Sequence, residues 1–187
     1  NGGRDQGAAI GDCLDTIATY GSLPASVHSM LDWRAKLPAD HEQIAAGFRA
    51  YEWDKLPDFD ALATAAQRLQ PICFGVIWSG GGGHAIMGAG LTVGTGDLPS
   101  LSDEFEPRPN HPLYEDYCRF CEEWEKLPRA GAAVQVPIAN SWDYTYGDQG
   151  FGVLPERQVA YGLKQYGGWA LREVVSCPDD TMPPAAA

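Results

Sequence analysis

Apolar positions in the first third of the chain recur at helical spacing. After Asp12, the residues Cys13, Leu14, Ile17 and Ala18 fall on one face, and Gly21 followed by Pro24 supplies a C-terminal stop. Asp40 with Gln43 three residues on has the form of a capping box. Ile44, Phe48 and Tyr51 continue from it at i, i+4, i+7 and predict a second helix. Asp58 opens a third, with Leu62, Ala65, Ala66 and Leu69 on one face and Pro71 to end it. After Pro71 the period changes. ICFGVIW (72–78) is a short apolar run rich in strand formers, SGGGG makes a turn, and HAIMGAGL (84–91) predicts the neighbouring strand. AAVQVPIA (132–139), FGVL (151–154) and WALREVV (169–175) predict three more. Helices first and strands later imply an α+β protein rather than alternating βαβ units.

At 187 residues a single domain spanning 1–187 is expected, mostly helical over 1–70, with strands in 71–96 and 132–177. The tract between them, 97–131, is acidic and proline-rich: eight acids and three bases fall in 101–126. It is expected to form a surface insertion ending in one helix. A hydrophobic fraction of 44% with 11% aromatics fits a packed core and excludes wholesale disorder. The 22 glycines and 14 prolines are too many for a helical bundle. Residues 69–96 carry no Asp, Glu, Lys or Arg, yet nine of those 28 positions are glycine, so a lipid-spanning helix is excluded there.

A net charge of −12 argues against nucleic acid or an anionic membrane surface as partner. Five cysteines, at 13, 73, 118, 121 and 177, give no disulfide framework. Cys118 and Cys121 form a C-x-x-C on an acidic helix, too few ligands for zinc, so neither metal nor cofactor is expected. Two segments could carry chemistry. GGGGHAIMGAG places His84 at the start of a buried strand, after glycines that let a ligand approach the ring. PIANSWDYTYGDQGFGVLP places Asn140, Ser141 and Trp142 at a strand end before a Gly-rich loop.

Together these segments resemble the papain-like cysteine peptidases, family C1. The matching residues are Gly83-His84-Ala85-Ile86 and Asn140-Ser141-Trp142, with Tyr146, Gly147, Gly150 and Phe151. The segments DQGAAIGDCLDTIATYG and PICFGVIW look like the helix and strand that precede the histidine in bacterial and phage-type members. The resemblance implies a papain-like fold, with an incomplete helical lobe and an antiparallel β-barrel-like lobe. It further implies peptide-bond hydrolysis, with His84 as general acid/base, Asn140 as its orienting partner and Trp142 as the cover that keeps water from their bond. Gly2 and Gly3 would stand for the substrate-binding glycine pair, with Gly83 beside the histidine, and the partner would be a peptide or protein substrate.

One element of the family pattern has no counterpart. No cysteine in 1–187 lies in the family's G-x-C-x-x-[CS] setting with a preceding glutamine. Cys13 falls on a later helix, Cys73 inside a strand, Cys118 and Cys121 beside Glu122 and Glu123, and Cys177 in a proline-rich tail. The expectation is therefore a fragment whose nucleophile lies upstream of residue 1 or on a chain that supplies the cysteine helix. The alternative is a catalytically inactive peptidase-fold scaffold or assembly protein, for example a phage virion component.

Overall fold

Asp58 caps the third helix as the sequence requires. Its backbone is extended, and its Oδ1 accepts the Ala61 N–H at 2.9 Å, satisfying one of the free donors of the first turn. The computed structural model describes residues 8–24, 26–28, 35–94, 97–128, 133–140 and 146–174. Asp58→Ala is expected to cost about 1 kcal/mol, read as a lower urea midpoint with unchanged slope. An unchanged midpoint would show that this cap contributes nothing.

By internal contacts the chain divides into two units, 1–53 with 171–187, and 54–170. In the first lie helices α1 (Ile10–Tyr20) and α2 (His41–Ala46), and strand β1 (Ala50–Lys55) begins there. Gly21 closes α1 at φ +88, its N–H reaching the Ile17 carbonyl at 2.9 Å. A Cβ on Gly21 would sit 1.7 Å from the Ala45 carbonyl oxygen, so only glycine lets α1 end against α2.

The stripe through Ile44, Phe48 and Tyr51 does not form one helix. Gly47 ends α2 after six residues, and Tyr51 falls in β1. Asp40 makes no side-chain cap bond either; its backbone is not in the extended form an N-cap needs. Leu69 also departs from expectation. Helix α3 (Phe59–Gln67) stops short of it, and the chain turns at Leu69 with φ +57, leaving that side chain 91% exposed ahead of Pro71.

The unit 54–170 is built on an antiparallel sheet. Its strands are β2 (Ile72–Ile77), β3 (Gly83–Gly88), the two-residue β4 (Thr92–Val93), β5 (Val134–Ala139) and β6 (Phe151–Pro155), with the start of β7 (Gly168–Val174). Strand β2 lies between β7 and β3, β3 pairs with β5, and β6 pairs along its whole length with β5. The sheet is open rather than a closed barrel: among the described residues no ladder returns from β6 to β7. Leu62, Ile72, Phe74, Val136, Ile138, Leu154 and Val159 are wholly buried in one core cluster. Helices α4 (Tyr114–Glu125) and α5 (Glu156–Tyr166) complete the unit.

Helix α5 was not foreseen. Its buried residues, Gln158, Val159, Tyr161, Gly162 and Leu163, form one broad helical face at i, i+1, i+3, i+4 and i+5, but a glutamine and a glycine on that face weaken the apolar stripe by which a helix is read. It packs on β2 through glycine. A Cβ on Gly162 would lie 2.3 Å from the Gly75 carbonyl oxygen, and a Cβ on Gly75 would lie 2.3 Å from the Tyr166 Cβ.

The 97–131 tract is not a surface insertion throughout. Leu101, Phe105 and Tyr117 are 7%, 2% and 3% exposed, and the first two belong to the main core. Its acidic residues hold the solvent side, while apolar residues at i and i+4 across the short 3-10 turn Ser102–Glu104 point inward.

Candidate active site

His84 enters β3 directly after a glycine turn. Gly81 and Gly82 have φ of +114 and +86, and the turn closes through Gly81 N–H to the Trp78 carbonyl and Trp78 N–H to the Gly82 carbonyl. Strand alternation then leaves Ala85 and Met87 exposed and sends half-buried His84 to the side of buried Ile86. Asn140 follows the last residue of β5, and its N–H donates to the Gly150 carbonyl at 2.9 Å, while Gly150 N–H donates to the Tyr146 carbonyl at 2.8 Å. The loop returning to β6 thus fixes the asparagine backbone.

These two elements bring together side chains 56 residues apart. His84 Nε2 lies 2.8 Å from Asn140 Oδ1. An amide oxygen only accepts, so Nε2 donates, and Nδ1 is left as the ring nitrogen able to take up or release a proton. Phe105 lies against the imidazole, with ring centroids 6.1 Å apart and planes 10° from parallel. Beside Asn140, burial pushes the Tyr146 phenol up to about 12; the Glu104 carboxylate adds to that, and the Asn140 amide acts in the opposite direction.

Gly83 opens β3 opposite Ile77, and a Cβ there would lie 2.7 Å from the Tyr166 ring, which accounts for glycine by packing. Trp142, Gly2, Gly3 and Cys177 lie outside the described residues. Of the cysteines, exposed Cys13 is on α1. Cys73 pairs with Met87, whereas His84 pairs with Val76, three residues further along β2. An odd offset of three puts Cys73 on the other face of the strand and about 10 Å away along it. Cys118 and Cys121 are on α4, and burial pushes the Cys121 thiol up, against the pull of the Arg157 guanidinium. No group of three or more metal-ligating side chains occurs among the described residues.

Phe105, against the His84 ring, and Leu101, four residues before it in the core, are the inward-facing residues near the site that the sequence did not disclose. Their i, i+4 spacing inside an acidic tract was the available signal.

No family model matches this sequence, and no curated protein is significantly similar to it. Solved structures are similar. The clostridial cysteine protease Cwp84, after propeptide cleavage, matches 92% of this chain with a TM-score of 0.58 and 14% identity. Xylellain, a cysteine protease from Xylella fastidiosa, matches 90% of it with a TM-score of 0.53 and 17% identity. The matched regions span 42% and 62% of those chains. The fold of this chain is that of the papain-like cysteine proteases, a mixed arrangement of helices and open antiparallel sheet.

Proposed function

We propose that this chain carries the histidine–asparagine half of a papain-like cysteine peptidase, and that a cysteine outside residues 1–187 completes it. The observation that carries this reading is the 2.8 Å bond from His84 Nε2 to Asn140 Oδ1, which leaves Nδ1 as the working nitrogen. In the reaction, Nδ1 takes the proton of the incoming thiol, and the thiolate sulfur adds to the scissile carbonyl carbon. The imidazolium then gives its proton to the departing amine as the C–N bond breaks. Water, deprotonated by the same nitrogen, splits the resulting thioester. Asn140 holds the ring orientation through both halves, and Trp142 would shield that bond from solvent, where a lower dielectric strengthens it. Gly2, Gly3 and Gly83 are assigned to backbone contact with a peptide or protein substrate.

The fold supports the reading, as do the place of Cys73 on the other face of β2 from His84 and the burial that pushes the Cys121 thiol up. A thiol-reactive peptidase probe tests it on the 187-residue chain and on the longer polypeptide. The short chain should remain unlabelled. The longer one should label at a cysteine outside 1–187, and His84→Ala should abolish that labelling. Labelling of an internal cysteine that depends on His84 would refute the missing-nucleophile assignment. A longer polypeptide without probe-reactive cysteine would make the domain a peptidase-fold scaffold.

A further inference from the structure

Residues 99–105 form a strap pinned to three different elements. Against β6, Leu101 N–H donates to the Val153 carbonyl at 3.0 Å and Val153 N–H donates to the Pro99 carbonyl at 2.9 Å. From α5, the almost fully buried Gln158 donates through Nε2 to the Ser102 carbonyl at 3.0 Å. At the turn before β3, Ser79 N–H donates to the Glu104 carbonyl at 2.9 Å. Leu101 also occupies the space over Gly152, where a Cβ would come within 2.2 Å of its Cδ1. All three attachments converge on the next residue, Phe105, which is 2% exposed and parallel to the His84 ring.

We propose that Phe105, held by this strap, is a positioning residue that fixes the plane of the His84 imidazole so that Nε2 stays aimed at Asn140. The proposal rests on the reading of His84 as the acid/base. The terminal torsion of histidine is broad and roughly two-fold, so a hydrogen bond at one ring nitrogen does not by itself take away an imidazole's freedom to rotate about that torsion. A parallel aromatic face at offset-stacking distance removes that freedom, because rotation out of plane drives the imidazole edge into the phenyl ring. Filling volume would not suffice. An aliphatic side chain offers no flat wall.

The test follows the exchange of the His84 Nε2 proton with water by NMR in the 187-residue chain, beside urea unfolding of each variant. Phe105→Leu keeps apolar bulk and removes the ring; it should speed exchange about three- to tenfold, the factor equivalent to an aromatic pair. Phe105→Tyr retains the ring and should keep the wild-type rate. An unchanged rate in Phe105→Leu, or equal acceleration in both variants, would overturn the proposal. Should Phe105→Leu fail to fold, the through-space contact between the two rings in the wild type decides: its presence supports the assignment, its absence refutes it. Asn140→Ala separates the two levels. If that change leaves the Nε2 proton untouched, the His84–Asn140 reading itself fails, independently of Phe105.

Discussion

Gly75→Val is expected to cost about 3 kcal/mol or more, a large part of the 5–15 kcal/mol that stabilises a typical domain. Gly75 needs no unusual backbone; what it lacks is space. Its Cβ would fall 2.3 Å from the Tyr166 Cβ and 3.0 Å from that residue's Cγ, and neither atom can swing away because both sit at the root of a helical side chain. From the other side, a Cβ on Gly162 would fall 2.3 Å from the Gly75 carbonyl oxygen. Helix and strand therefore meet backbone to backbone, and a valine would lever α5 off β2 along its length. Urea unfolding should show a midpoint lower by about 1–2 M, or no folded baseline. Gly81→Ala is the control: it meets nothing within 4 Å, and its cost is limited to the strain of φ +114. If Gly75→Val unfolds no more easily than Gly81→Ala, the close contact between α5 and β2 is wrong.

The second large effect follows from the proposed function and concerns ionisation of the cysteine that would complete the pair. A thiol facing His84 Nδ1 gains from the imidazolium charge only in its thiolate form, so its pKa is lowered, into the range of about 3.5–7.5 known for such pairs. His84→Ala removes that charge, and the thiol should return to about 8.5. The shift is upward, so the window in which thiolate is lost lies below pH 8. Thiolate absorbance followed from pH 3 to pH 10 should move its midpoint up by at least one unit, and by several if the pair is dry. Asn140→Ala should move it less, since the imidazole remains. A midpoint near 8.5 in the wild type would remove His84 from the chemistry.

The strands around the site were legible because their signals are local. ICFGVIW and GHAIMG lie in an uncharged run, and a four-glycine turn between them dictates the hairpin. Asn140 was legible from its neighbours in NSW…YG..GF. Strand β1 was not, because AYEWDK alternates weakly and its Tyr51 completed a false helical stripe from Ile44 and Phe48. Helix α5 escaped for a different reason. A buried face that includes Gln158 gives a weak apolar stripe, and a helix that touches its sheet through Gly162 carries a residue that reads as a breaker. Phe105 was hidden by the average charge of its surroundings, since a net composition does not reveal which few side chains point inward.

The 56 residues between His84 and Asn140 have a consequence in time. The β2–β3 hairpin closes a loop of a few residues, whereas bringing Asn140 to His84 closes one of more than fifty, at an entropic cost greater by roughly 2 kcal/mol. On a ribosome adding 5–20 residues per second, His84 exists for about 3–11 s before Asn140 has been made. Throughout that interval the imidazole has neither its tether nor a settled orientation. The hydrogen bond that orients the imidazole is therefore among the later contacts of this sheet to form, after the β2–β3 hairpin that carries His84.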